Sequence, residues 1–469
     1  MAGVECRAVE GRGLALFATQ DFEEGGIILQ ETPMVLYDVQ STKDEKTIGR
    51  ICSRHRVPTE MFHQVFAVVE AGDDVRAKVE ALYCPQEEDL NTYEQTKKQY
   101  DLIRACLQEI SEAGALPSGV DMAAFWKLLL ICQCNAVEVP IGMAIFEVFS
   151  RGNHSCRPSA WHCMHKGKKV VRAIRPLKVG DEITYSYLGR EDLLKGSDRR
   201  QKELQLTKCF TCDCSYCRLD TSRAFRCAKC GSLAAYFKED GVEGIACQSE
   251  GCGARASGEA AKEPFATEAE WVQKVEELPE QLSKRHAGDP RRAFEEVEGL
   301  VAATAAALHG QHWVANFWEL LLRDFHQHVL KSPPAQSVAG FERILSYTQA
   351  VYPGVSFCAA MAHFQLAEQC VKAVAPQRPD YALLLQAREH FSVSTRMMEI
   401  CVGPQYELTQ QARTSLEKIE KALAYKCASE GCIKPHDKMC AGCKKLGYCS
   451  TECQTADWKR GHKRVCKKK

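Results

Sequence analysis

The sequence has no excess of either charge: 61 Lys and Arg stand against 61 Asp and Glu, for a formal net charge of +0. No chain-wide basic field therefore draws it to nucleic acid or membrane, and any such patch is local. Long apolar runs are also missing, since none approaches the roughly 18 residues that span a bilayer. The opening residues, MAGVECRAVEGRG, lack a basic start followed by an apolar stretch, so no leader and no membrane attachment are expected. A soluble protein of the cytoplasm and/or nucleus is the expectation. Fibrous and broadly disordered chains are excluded by a composition that is 45% hydrophobic and 26% charged. Its 469 residues suit roughly two to four globular domains.

What the chain has in abundance is cysteine, with 26 residues. In a reducing compartment these are not expected as disulfides, and their short spacings point to zinc. Before residue 150 they are scattered singly or, as Cys132 and Cys134, lie in an apolar stretch, where they read as small buried side chains. From Cys209 the spacing tightens to C-F-T-C-D-C-S-Y-C, then Cys227-x2-Cys230 and Cys247-x4-Cys252. Two thiolates two residues apart grip a tetrahedral ion from one tight turn, and two such turns close a four-thiolate site. The 227–252 set is read as such a site, with chance as the competing reading because its second spacing is loose. The final stretch holds Cys427-x4-Cys432, Cys440-x2-Cys443, Cys449-x3-Cys453 and His462-x3-Cys466. Seven thiols and one imidazole serve two ions. So few large apolar residues accompany them that metal binding and folding should be one event. Residues 426–469 carry 12 Lys and Arg against 4 Asp and Glu, a local excess of +8 that leaves the remainder near −8. A basic module on an acidic body admits nucleic acid or an acidic protein surface as a partner, against the plainer reading of a solvated charged face.

Near the N-terminus, V-E-G-R-G-L-A-L-F-A-T and E-E-G-G-I-I-L-Q-E read as strands joined by glycine turns. Gly11-x-Gly13 permits close backbone approach to a ligand and equally makes an ordinary hairpin. Asn153-His154-Ser155-Cys156, V-V-R-A-I and G-D-E-I-T-Y-S-Y-L add alternating strands around a Pro/Gly-marked turn. Between about 40 and 130, Y-D-L-I-R-A-C-L-Q-E-I and M-A-A-F-W-K-L-L-L-I-C place apolar residues at helical spacing. The stretch A-R-A-S-G-E-A-A-K-E-P reads as a linker. Beyond it the chain is strongly helical, with breakers at Leu308 to His312, at Tyr352-Pro353-Gly354 and at Val402-Gly403-Pro404, a loose repeat.

The order G-R-G-L, Cys134-Asn135, N-H-S-C-x-P, G-D-E-I-T-Y-S-Y and C-F-T-C-D-C-S-Y-C resembles the SET domain of the SET and MYND family of protein lysine methyltransferases. The C-terminal ligand run, with Tyr448 and Trp458, resembles a MYND zinc finger. The resemblance implies an α+β, multidomain fold. Its parts are a β-rich SET fold beginning with residues 1–39, a helical insert over 40–130, a catalytic part over 131–205, and a Cys-rich post-SET and additional zinc-binding region over 206–255. A tetratricopeptide-like helical domain over 265–425 and the MYND finger over 426–469 complete it. S-adenosylmethionine is then expected at Glu10, Gly11, Arg12, Gly13, Asn135, Asn153 and His154, with Phe210 against its adenine. Tyr187 is the implied catalytic tyrosine, and Tyr185 helps wall the channel. Cys156, Cys212, Cys214 and Cys217 are implied as one zinc site, leaving Cys209 without metal. The interleaved MYND order implies Cys427, Cys432, Cys449 and Cys453 on one ion and Cys440, Cys443, His462 and Cys466 on another. With Cys227, Cys230, Cys247 and Cys252 the expectation is three to four zinc ions.

The implied activity is methyl transfer to a lysine of a histone or non-histone protein by a monomer, with the MYND finger gripping short proline-containing peptides. Three features depart from the family pattern. Ser159 stands where Asn is usual, Arg151 and Gly152 stand where apolar residues are usual, and the finger follows the SET domain instead of interrupting it. The Arg151-Gly152 and Ser159 departures motivate a competing reading, a catalytically weak or inactive scaffold or transcriptional co-regulator that binds partners through its MYND and helical surfaces; at residue level, Tyr185 and Tyr187 also read as core aromatics of a strand.

Overall fold

The computed structural model describes residues 3–38, 45–330, 334–374 and 380–466. Strands β1 (Val4–Val9) and β2 (Gly13–Ala18) pair antiparallel, with Val9 opposite Gly13. The tight turn between them holds Gly11 and Gly13 at φ of 70° and 69°, a region where a side chain is disfavoured. Strands β3 (Ile27–Glu31) and β4 (Val35–Asp38) follow. Strands β5 (Val137–Val139) and β6 (Gly142–Ile145) then complete a sheet of order β4-β6-β5. Next come β7 (Asn153–His154), β8 (Ala160–His165), β9 (Lys168–Ala173) and β10 (Glu182–Tyr185). β10 lies between β2 and β7, antiparallel to the first and parallel to the second, which sets Tyr185 beside His154. β8 and β9 join β3 in a third sheet. Leu16, Phe146, Phe149, Val171 and Ile183 fill the core among these sheets.

The segment over residues 45–135 is mainly helical, as the apolar spacing predicts, and its core buries Cys52, Cys106 and Cys132 completely. Its last helix, Met122–Asn135, opens with the Asp121 carboxylate accepting the Ala124 N–H and runs across the 130/131 boundary read from the sequence. One rod thus joins the insert to the catalytic part and delivers Asn135.

After residue 218 four strands, β11 (Leu219–Arg226), β12 (Leu233–Glu239), β13 (Val242–Cys247) and β14 (Arg255–Ser257), form an antiparallel meander. The expected linker is therefore not one: β14 pairs with β13, and helix Glu259–Arg285 starts two residues later. Composition misleads there because the ladder to β13 and the adjacent Cys247 and Cys252 turn, not apolar side chains, hold the strand. The helical region follows, and each sequence breaker separates two helices: Pro290–Ala307 from Trp313–Asp324, Pro334–Val351 from Phe357–Ala373, and Tyr381–Cys401 from Glu407–Leu423. It packs on the SET sheets, where Trp161 of β8 meets Phe357 and the Cys163 thiol points to the Val402 carbonyl. Two short strands, β15 (Lys438–Met439) and β16 (Gly447–Tyr448), pair within the C-terminal segment. No described helix is long and apolar enough to cross a membrane.

Candidate active site

A cleft of about 1540 Å³ lies among the β1–β2 hairpin tip, the end of helix Met122–Asn135, β7, β10 and residues 208–214. Gly11, Arg12 and Gly13 line it; Glu10, exposed at the same tip, is not among the lining residues. The Arg12 guanidinium donates to both Glu182 oxygens, at 3.1 and 3.0 Å, and the same carboxylate accepts from the Asn153 amide at 3.0 Å. Glu182 thereby locks two expected cofactor groups to β10. The Asn135 amide nitrogen donates to the Tyr83 and Ile131 carbonyls, each at 2.8 Å. Lys208 donates to the carbonyls of Cys134, at 2.9 Å, and Gln133, at 3.4 Å, covering the open end of that helix. Its ammonium sits 5.7 Å from the centre of the Tyr187 ring, and burial lowers its pKa. Sequence reasoning missed both Glu182 and Lys208; their only local signals are their places inside G-D-E-I and just before C-F-T-C.

Tyr187 is half-buried in the cleft wall. Its hydroxyl donates to the Gly152 carbonyl at 2.7 Å, and its backbone N–H donates to His154 Nδ1 at 3.0 Å. The other ring nitrogen, Nε2, faces Cys156 Sγ at 3.2 Å. With Nδ1 accepting, Nε2 carries the proton toward sulfur, so one tautomer is fixed. Both imidazole nitrogens are engaged, which leaves the main chain of His154 for any hold on a cofactor. Phe210 turns its ring edgewise to His154 and Tyr187, at 6.0 and 6.2 Å. Tyr185 stacks on Phe149, with centroids 4.3 Å apart and planes 7° from parallel, and stands 5.9 Å from Tyr187. Burial raises the pKa of both tyrosines, so both are neutral phenols at physiological pH.

The unusual Gly152 and Ser159 each have a local reason. A Cβ on Gly152 would stand 2.4 Å from the Tyr185 ring, so the missing side chain is what makes room for Tyr185. The Ser159 hydroxyl accepts from Thr184 N–H at 2.9 Å and donates to the Glu182 carbonyl at 3.2 Å, fastening its loop to β10.

Four ligand clusters gather, the second as its spacing suggests and the others as the resemblance implies: Cys156, Cys212, Cys214 and Cys217; Cys227, Cys230, Cys247 and Cys252; Cys427, Cys432, Cys449 and Cys453; Cys440, Cys443, His462 and Cys466. Within each, the ligand atoms lie within 4.8 Å of one another. Four thiolates about 2.3 Å from a tetrahedral zinc stand about 3.8 Å apart. The separations Cys156 to Cys217 at 3.6 Å, Cys227 to Cys252 at 3.7 Å and Cys440 to Cys466 at 3.8 Å fit that ion. The Cys440 thiol is drawn down to about 6 by the Cys443 backbone N–H and by His462, as a ligand thiolate requires. Beside the first cluster, fully buried Arg200 pairs with Asp220 at 3.3 Å and reaches Cys217 Sγ at 3.9 Å, so a guanidinium charge and the His154 Nε2–H face the thiolates. Cys209 stays outside the clusters, with its thiol toward the Tyr100 hydroxyl.

The fold and the thiolate clusters define a SET-domain protein with a zinc finger appended: residues 13–188 match the SET domain family and residues 426–466 the MYND finger family. The chain thus carries a SET domain and a C-terminal MYND finger, and it is similar to proteins of the SET and MYND type. It is similar to the human histone-lysine N-methyltransferase SMYD3, with 36% identity over 24% of this chain and 26% of that one. Mouse protein-lysine N-methyltransferase SMYD4 is 26% identical over 38% of this chain and 22% of its own. Chicken (Gallus gallus) N-lysine methyltransferase SMYD2 is 31% identical over 21% and 23%. The chain thus spans about a quarter of the length of these curated relatives.

Proposed function

We propose that this protein is an S-adenosylmethionine-dependent protein-lysine N-methyltransferase. The observation that carries the reading is the Tyr187 hydroxyl, neutral and bonded to the Gly152 carbonyl, in one cleft with Asn153, His154 and Phe210. Gly11, Arg12, Gly13, Asn135, Asn153 and Phe210 would hold the cofactor, whose sulfonium supplies an electrophilic methyl group. Methyl transfer is an in-line displacement, so these residues serve by alignment and form no bond to the substrate. An acceptor lysine, with an ordinary pKa of about 10.4, sheds its proton more readily among Phe149, Tyr185 and Tyr187, where desolvation disfavours the ammonium. The Tyr187 hydroxyl and the Gly152 carbonyl then offer its nitrogen polar neighbours that fix its direction. No carboxylate base is required.

The scaffold reading rests on Arg151, Gly152 and Ser159, and each has a local partner: Arg151 donates to the Glu147 carbonyl, Gly152 leaves room for Tyr185, and Ser159 bonds to β10. Histone or other protein substrates, a proline-containing peptide, nucleic acid or acidic surface at the MYND finger, a monomeric state and a cytoplasmic and/or nuclear location belong to the same proposal. Its test is transfer of labelled methyl from S-adenosylmethionine into a proteome lysate by zinc-replete protein, beside Tyr187→Phe. Labelled bands that vanish or change methylation state in the variant are expected. Labelling absent from both proteins, together with no S-adenosylmethionine binding, would leave the scaffold.

A further inference from the structure

Lys169 on β9 turns its side chain inward and is 2% exposed, yet it lines the cleft beside Trp161, His162 and Tyr185. Its Nζ lies 4.7 Å from the centre of the Phe149 ring and 5.4 Å from that of Phe146. Among the described residues, no carboxylate comes within ion-pair distance of this ammonium and no oxygen accepts a hydrogen bond from it. Burial brings its pKa down to about 8, which still leaves most of it charged at neutral pH. His162 beside it adds no charge of its own, since burial and then Lys169 push the imidazole down to about 3. Ring faces compensate a buried cation only in part. A buried ammonium without a counter-ion in a cleft wall is a destabilised group that an incoming anion relieves.

We propose that Lys169 forms a carboxylate subsite in the acceptor arm of the cleft, taking an Asp or Glu side chain that lies close in sequence to the methylated lysine of the protein substrate. The inference rests on the methyltransferase reading above. The arm follows from position. Lys169 shares its wall with Trp161, which packs on Phe357 of the helical region, and with Tyr185; the candidate cofactor groups Arg12, Asn153 and Phe210 lie at the hairpin tip, on β7 and in the post-SET segment. Phe149 carries the charge on one side and Tyr185 on its stacked face, so the carboxylate would bind one aromatic layer away from the channel.

The test maps methylated lysines in the labelled lysate and compares the zinc-replete protein with Lys169→Met, which keeps an unbranched side chain one atom shorter and removes the charge. The expected map shows Asp or Glu at a fixed offset from the acceptor. For a peptide from the strongest site, changing that residue to Asn or Gln should lower kcat/KM about tenfold or more in the parent and leave Lys169→Met unaffected. The KM for S-adenosylmethionine should be the same in both, and Lys169→Met should melt higher at pH 7 because an uncompensated buried charge is gone. Lys169→Gln provides the same comparison if methionine crowds the site. An equal penalty in parent and variants, or no acidic offset, overturns the subsite while the methyltransferase reading stands. A KM for S-adenosylmethionine raised only in the variants overturns it by assigning the carboxylate to the cofactor's methionine. Labelling by neither protein removes both readings.

Discussion

Gly152 and Tyr185 are a small-for-large pair in direct apposition, and the pair can be tested by restoring bulk. Gly152→Ala drives a methyl group against the edge of the Tyr185 ring, 2.4 Å from its nearest carbon. A loss of about 1–3 kcal/mol in urea unfolding is expected, and in a double-mutant cycle that penalty should largely disappear in the Tyr185→Ala background, which carries its own cost for the lost buried ring. His154 invites a second substitution pair. Asn can reproduce the acceptor that Nδ1 offers to the Tyr187 N–H, whereas Leu cannot. His154→Leu should therefore lower kcat with KM for S-adenosylmethionine nearly unchanged, His154→Asn should restore part of it, and zinc content should be equal in both. At this scale the motifs name Tyr187, Asn153 and His154 but not their partners. The glycine before Asn153 reads as a defect until the ring that needs its space is seen, because that ring arrives from a strand some thirty positions later.

Between elements, one polar tie is buried and long-range. Glu268, on helix Glu259–Arg285, accepts from Arg223 of β11 at 2.8 and 2.6 Å and meets His312 Nε2 at 3.1 Å. Burial alone would raise the Glu268 pKa, but Arg223 and His312 outweigh it and hold it at about 2, below its ordinary 4.5. A folded-state pKa below the unfolded value contributes stability that is complete above 4.5 and lost as pH falls toward 2, here about 3 kcal/mol. Glu268→Gln should lose about that much at pH 7 and show a flatter stability curve between pH 4.5 and 2, read from denaturant midpoints. Nothing in the sequence marks this tie, since its three members come from a strand, a helix and a helix cap with no shared spacing. The helices themselves were legible from apolar period and breakers. β14 was not, because Arg255–Ser257 has the composition of a linker and is a strand only through its pairing with β13.

Across the whole molecule, the cysteine pairs were the most legible feature, because ligand spacing is a local property of the chain, whereas the distant Cys156 and the interleaved order of the C-terminal ligands follow only from the resemblance. Elemental analysis should return four zinc ions per chain, and Cys230→Ser/Cys252→Ser should return three. The clusters differ in shelter: Cys230 is exposed, whereas Cys156 is wholly buried. Graded chelation, followed by a metal indicator and circular dichroism, should release the 227–252 ion first and the ion of Cys156, Cys212, Cys214 and Cys217 last, with methyl transfer failing only at the last step.

That last cluster also divides the gene product unevenly. The SET match ends at residue 188, but Lys208, Phe210 and the cysteines from 212 to 217 belong to the same site. A premature stop anywhere between 189 and 208 would leave residues 13–188 translated, with Cys156 stripped of its three partner thiols and Tyr187 without Lys208 and Phe210 beside it. Such alleles would encode an intact-looking domain and behave as nulls.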